Sequence, residues 1–177
     1  MEELTAEAFD LDDKSALIDE IMIKYGQEIL QLAYSFVNNK EVAEDLTQDI
    51  FVKCYKSLHT FKGNSKIRTW LWKIAINHCK DYLKSWYNNK IIISEDESMF
   101  DKTQKESVEM AVIQKGDDEK MAVAVMNLEI KYREVIYLFY FQELTIREIS
   151  KLIGIKQSTI KTRLRRAKEI LKEELED

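Results

Sequence analysis

Between Lys156 and Lys168, thirteen residues carry six cations and no acid, in a chain whose formal net charge is −5. Positive charge at that density does the chemistry of phosphate neutralisation. Lys161, Arg165, Lys168 and Lys172 recur at i, i+4, i+7 and i+11, the spacing of one helix face, with Thr162 and Arg166 beside them. Ile160, Leu164, Ala167 and Leu171 repeat with the same spacing and form the apolar stripe that would seat this helix. A merely solvated face ordinarily mixes both signs. Cations alone around one helix suit entry into a DNA major groove, where they neutralise phosphates while selected side chains reach base edges.

The residues upstream supply the support such a helix needs. Thr145 with Glu148 three positions on fits a capping box. Ile146, Ile149 and Ile153 are expected to face inward, with small Ser150 between them. Gly154 follows where a helix would end in the left-handed conformation that glycine tolerates. A turn of about three residues then leads to a second helix starting near Ser158. The pair is a helix-turn-helix, preceded by an almost uniformly apolar stretch, 130–142, expected to be a buried helix.

A second basic block lies at 51–90, with nine bases against one acid, Asp81. Lys73, Asn77, Lys80 and Lys84 make a polar stripe along a helix that enters near Arg68. Leu71, Ile74, Ala75, His78 and Tyr82 are expected to make its buried face, which casts His78 as a satisfied core histidine. Interleaved aromatics (Phe61, Trp70, Trp72, Trp86, Tyr87) suit stacking on unpaired bases. Trp70 is expected in the core, while the pattern leaves Trp72 open between core and surface. Just upstream, Val42, Leu46, Ile50 and Cys54 form a core face at successive i+4 steps. Glu41, Glu44, Asp45, Gln48 and Asp49 gather on another face, either solvated or presented to a basic partner.

These features sit in a chain of 177 residues with no proline and four glycines, rich in helix formers and poor in period-two alternation. The expected fold is all-α, with two small helical domains at 21–88 and 119–177. Net acidic segments surround the basic ones. Residues 1–20 hold eight acids and one base and are expected to be flexible, and 89–118 reads as a flexible acidic linker. The two cysteines, Cys54 and Cys79, lack CxxC or metal-ligand spacing and read as buried reduced thiols. The acidic N-terminus does not resemble a signal peptide and no apolar run reaches membrane-span length, so no membrane insertion and a cytoplasmic location are expected. No phosphate-cradling glycine loop, HExxH or nucleophile with a partnered base appears, so neither enzymatic activity nor a metal or cofactor is expected.

The segments "AEDLTQDIFVKCYKSLHTFKG", "SKIRTWLWKIAINHCKDYL" and, after the linker, "LTIREISKLIGIKQSTIKTRLRRAKEIL" resemble the extracytoplasmic-function (ECF) group of sigma-70 family initiation factors. The resemblance implies a region 2 domain and a region 4 domain without an intervening region 3. It implies core RNA polymerase, through its β′ clamp and β flap, and promoter DNA as partners, with an anti-sigma factor as a further one. By position, Glu44, Asp45, Gln48 and Asp49 would dock on the β′ clamp. The turn from Lys62 to Thr69, with Gly63, Asn64, Ser65, Lys66 and Arg68, would read an extruded base of the minus-ten element. Lys53, Ser57, Phe61, Ile74 and Asn77 would line its pocket. Thr159, Lys161, Thr162, Arg165 and Arg166 would read the minus-thirty-five element, with Arg147 and Lys168 on phosphates. Two departures stand out. "NLEIKYREV" lacks the Leu-Pro pair common before the first region 4 helix, and Lys156 replaces a small hydroxyl residue at the start of the recognition helix. The rival reading is a helix-turn-helix regulator that binds duplex DNA without polymerase.

Overall fold

The structure, a computed structural model, describes residues 13–93 and 118–176. The expectations of a flexible acidic N-terminus and linker fall largely outside those residues. Among the described residues every regular element is helical, and the chain divides into two compact units, 1–87 and 88–177.

In the first unit, α1 (Asp13–Val37) lies along α2 (Lys40–Ser57), and a single turn of 3₁₀ helix (Leu58–Thr60) leads toward α3 (Ile67–Ile93). Helix α1 buries Leu17, Ile18, Ile21, Tyr25, Ile29 and Leu32, a stripe with helical spacing. It therefore starts inside the segment assigned to the flexible N-terminus. Leu17 and Ile18 prolong the stripe, and Asp13 in the first turn complements the positive end of the helix dipole. The connection to α2 takes two asparagines. Asn38 adopts φ +50, which asparagine tolerates better than most residues, and Asn39 caps α2 by accepting from the Val42 N–H at 2.9 Å. Ala43, Leu46, Ile50, Phe51 and Cys54 are buried along α2, whereas Val42 is only half-buried.

Helix α3 differs from expectation in rotation and in length. Its buried face is Leu71, Trp72, Ala75, Ile76 and Cys79, while Ile74, His78 and Tyr82 are half-buried. Apolar residues occupy more than half of the helix circumference between 70 and 76, so spacing alone admits either face; the i, i+4 continuity of 71–75–79 and 72–76 wins. Trp72, which the pattern left open, takes the core place expected of Trp70. Trp72 is 3% exposed, and Trp70 is half-buried against Phe61. With no glycine or proline to stop it, α3 runs to Ile93, beyond the boundary drawn at 88. Cys54 and Cys79 are free thiols at 0% exposure, and burial pushes both up to about 12.

The second unit holds α4 (Asp118–Asn127), α5 (Ile130–Ile136), a π turn (Tyr137–Phe141), α6 (Ile146–Ile153) and α7 (Gln157–Glu176). The missing Leu-Pro pair is answered by two residues. Glu129 adopts φ −55, ψ 144, close to the φ that proline would impose. The buried Arg133 guanidinium donates to the carbonyls of Met126 (2.7 Å) and Leu128 (3.3 Å), satisfying the end of α4 from within α5. The stretch 130–142 is thus not one buried helix. Arg133 and Glu134 are buried in it, while Tyr140 and Phe141 emerge at 47% and 37% exposure after the π turn.

Two left-handed residues frame α6. Glu143 has φ +54, and the turn brings the Leu144 N–H to the Leu138 carbonyl at 3.1 Å. Gly154 has φ +70, and a Cβ there would meet nothing within 4 Å. The cost of a side chain at either site is therefore conformational, about 1–2 kcal/mol. Gly154→Ala should lower the melting temperature, and Glu143→Gly should raise it by a smaller amount because glycine loses more entropy on folding. Thermal denaturation of the two variants checks both signs.

Candidate nucleic-acid interface

The helix-turn-helix is built by local chemistry before any packing. The Glu148 N–H donates to Thr145 Oγ1 at 3.2 Å, and the Thr145 N–H donates to Glu148 Oε2 at 2.7 Å, closing the capping box. At the other end the Gly154 N–H donates to the Ser150 carbonyl (2.9 Å), and Ser150 Oγ donates to the Ile155 carbonyl (2.6 Å), fixing the turn. Ile149 and Ile160 are wholly buried, joined by Leu152. Leu152 joins the core outside the expected set of Ile146, Ile149 and Ile153, and Ile146 and Ile153 are half-buried instead of inward-facing. Ile149 and Leu152, three residues apart, point at α7 more squarely than the residues flanking them.

On α7, Ile160, Leu164, Ala167 and Leu171 are all buried, as their spacing requires, and Lys161, Thr162, Arg165, Arg166 and Lys168 are all exposed. Lys156 stands just outside the helix, where its carbonyl accepts from the Thr159 and Ile160 N–H groups at 3.0 and 3.1 Å. The exposed residues are not equivalent. Thr162 Oγ1 donates to the Ser158 carbonyl (3.0 Å), and Arg166 pairs with Glu169 at 3.0 Å. Lys168 lies over the Tyr140 ring at 5.5 Å, a contact that the π turn makes by bringing Tyr140 outward. Arg165 takes part in no ion pair or hydrogen bond among the described residues. Thr159 is half-buried and Arg147 is exposed on α6. Sequence periodicity did not reveal Tyr140, because a π turn breaks the 3.6-residue count.

In the first unit, Lys53 and Asn77 are exposed, and Ser57, Phe61 and Ile74 are half-buried. Phe61 packs on Trp70 with ring centroids 5.5 Å apart. Between them Gly63 turns the chain at φ +71, leaving Asn64, Ser65 and Lys66 exposed. Arg68 is held differently from its loop neighbours. Its Nε donates to Glu28 Oε2 at 3.1 Å and its guanidinium lies 5.0 Å over the Trp72 ring, so it ties α3 to α1. Glu44, Asp45, Gln48 and Asp49 are all exposed on α2, and the same stripe continues into exposed Val52 and Tyr55.

His78 is not a satisfied core histidine. Neither ring nitrogen has a hydrogen-bond partner, and Asp49 Oδ2 lies 3.7 Å from Nε2. Desolvation, and then the Lys53 cation, lower its pKa against the opposing pull of Asp49 and Asp81. A lowered folded-state pKa means that the unfolded chain binds the proton first, so stability is lost as pH falls below the unfolded value of about 6.5. His78→Phe should flatten that slope in melting temperatures measured between about pH 5 and 7.5.

Among the described residues no three His, Cys, Asp or Glu side chains are grouped to hold a metal, and no helix is long and apolar enough to cross a membrane. Comparison with known proteins matches residues 21–87 to sigma-70 region 2 and residues 118–171 to sigma-70 region 4. The chain is 31% identical over 172 residues to the ECF RNA polymerase sigma factor SigW of Bacillus subtilis, covering 93% of this chain and 91% of that one. It is 31% identical over 157 residues to SigM of the same organism, covering 88% and 93%. Its fold is similar to that of the sigma factor RpoE of Bartonella quintana, solved with the anti-sigma factor NepR, at a TM-score of 0.72 and 24% identity over 89% of this chain and 96% of that one. CnrH, solved with the cytosolic domain of CnrY, has a TM-score of 0.63 at 20% identity over 92% and 89%.

Proposed function

The chain belongs to the ECF group of the sigma-70 family, non-enzymatic factors of promoter-directed transcription initiation, and on that footing we propose how its surfaces divide the work. Helix α7 enters the major groove at the minus-thirty-five element. There Lys161, Thr162, Arg165 and Arg166 face base edges, with Thr159 at the rim, while Arg147 and Lys168 neutralise phosphates. The Lys62–Thr69 turn and the pocket around Lys53, Ser57, Phe61, Ile74 and Asn77 take an unpaired base of the minus-ten element. Stacking and polar contacts there offset the few kcal/mol of unstacking. Arg68, tied to Glu28 and Trp72, holds the base of that turn. The exposed acids of α2 dock on the β′ clamp of core RNA polymerase, and the second unit meets the β flap. The solved RpoE bound to the anti-sigma factor NepR supports an inhibitor of that kind as a further partner.

The observation that carries this reading is the sorting of α7, whose apolar stripe is wholly buried while its cationic face is open. Co-purification with bacterial core polymerase, followed by sequencing the 5′ ends of transcripts made by the reconstituted complex, tests it. Stable binding and start sites preceded by two spaced elements are expected. A folded chain that ignores polymerase yet binds duplex DNA tightly at physiological salt would favour the unaided regulator.

A further inference from the structure

The two borders of the cationic face of α7 are held by different means. Arg166 on one border is paired with Glu169, whereas Lys168 on the other meets an aromatic ring, its Nζ 5.5 Å from the centroid of Tyr140. Lys168 follows buried Ala167, so it leaves the helix about 100° from the apolar stripe, where the core gives way to the open cations. Tyr140 does not stand where a regular helix would leave it. Four residues after buried Ile136 it would lie on the core face, yet it is 47% exposed. The π turn makes the difference. The Gln142 N–H donates to the Tyr137 carbonyl at 3.1 Å, five residues back, and the extra residue in the turn swings the ring outward. Phe139 meets Tyr140 edge to face, with centroids 4.9 Å apart and planes at 78°, which fixes the ring. The Tyr140 hydroxyl makes no hydrogen bond among the described residues, so the ring face is the part of this side chain in use.

We propose that Tyr140 is a positioning residue for Lys168: its ring face holds the ammonium at the border of α7, so that the cation is already in place when a promoter phosphate arrives. The physical basis has two parts. A lysine side chain free on a helix surface must give up rotamer freedom to contact one phosphate, and a contact made beforehand removes part of that cost. The ring face attracts the cation through its quadrupole and takes one side of the ammonium, leaving N–H donors on the other side for phosphate oxygens. The ring itself need not touch DNA. A carboxylate in its place, as Glu169 is for Arg166, would compete with the phosphate for the cation; an uncharged ring does not. This inference rests on the assignment of Lys168 to a phosphate made above.

The test uses holoenzyme assembled from the full chain and core polymerase, on a promoter identified from its own transcripts. Position 140 carries a graded series: Tyr140→Phe, then phenylalanines with increasing ring fluorination. The series keeps the shape of the ring and withdraws electron density from its face, a change that a packing role would not feel. Affinity for promoter DNA should fall stepwise along it, by about twofold to fivefold in all. Tyr140→Leu should lose as much as the most fluorinated ring, and Tyr140→Phe should recover most of that loss. In a Lys168→Ala background, which itself lowers the salt slope of log K by about one, the series should be flat. Melting temperatures of the same variants read folding separately. A flat series with Lys168 present would overturn the proposal, as would an equal fall in the Lys168→Ala background. A salt slope that Lys168→Ala leaves unchanged would instead sink the phosphate assignment, and this proposal with it.

Discussion

Arg165→Ala should reduce transcription from the cognate promoter by roughly 5- to 150-fold, the equivalent of about 1–3 kcal/mol, while leaving polymerase binding and melting temperature unchanged. The size of the effect follows from what Arg165 does in the free protein. It is exposed on α7 and, among the described residues, spends its five donors on no ion pair, so its fork is available to a base edge. Arg166 provides the contrast. It must release or share Glu169 to reach DNA, so Arg166→Ala should cost less, and part of its effect should reappear in Glu169→Ala as a gain. Lys168→Ala should weaken all promoters alike and lower the salt slope by about one, as expected for a phosphate contact. Transcription assays on the cognate promoter and on single-base variants separate the three. Arg165→Ala and, more weakly, Arg166→Ala should relax discrimination at a particular position, whereas Lys168→Ala should not.

Charge reversal on α2 should have the other large effect, and it should look different. Asp45→Lys or Asp49→Lys should reduce affinity for core polymerase by at least about 100-fold, since placing like charges across an interface costs several kcal/mol. Every promoter should suffer equally, because the loss precedes promoter choice. Both carboxylates are exposed, but Asp49 lies beside His78, so its reversal also places a cation next to the imidazole. Asp45→Lys is therefore the cleaner variant, and a drop in melting temperature for Asp49→Lys alone would report the His78 contact. Pull-down of core polymerase at two salt concentrations checks the interface, with weaker discrimination between wild type and variant expected at high salt.

The recognition helix was legible because a single period governed both of its faces. Ile160, Leu164, Ala167 and Leu171 could face only one way once the cations were placed, and capping at Thr145 and Gly154 is chemistry local to a few residues. Helix α3 was less legible for the opposite reason. Its apolar residues nearly encircle the helix between 70 and 76, so the side that meets α1 and α2 is decided by packing, which also exchanged Trp70 for Trp72 in the core. The α4–α5 corner was hidden in another way. A charged residue at φ −55 stands where proline would set the turn, and the arginine that completes it is buried, against the usual preference of its type. Arg68 shows the limit of transferring roles by position, since its contacts with Glu28 and Trp72 are visible only in three dimensions.

The two cysteines have a consequence for signalling. Oxidants and disulfide-exchange partners act through the thiolate, and burial raises both thiols to about 12, so they stay protonated near pH 7. Each is also sealed inside the first unit at 0% exposure. The native chain is therefore deaf to peroxide and thiol stress through its own cysteines. If its regulon answers to thiol stress, the signal is sensed by another protein's cysteines and delivered as a change in who occupies the surfaces of α2 and α7.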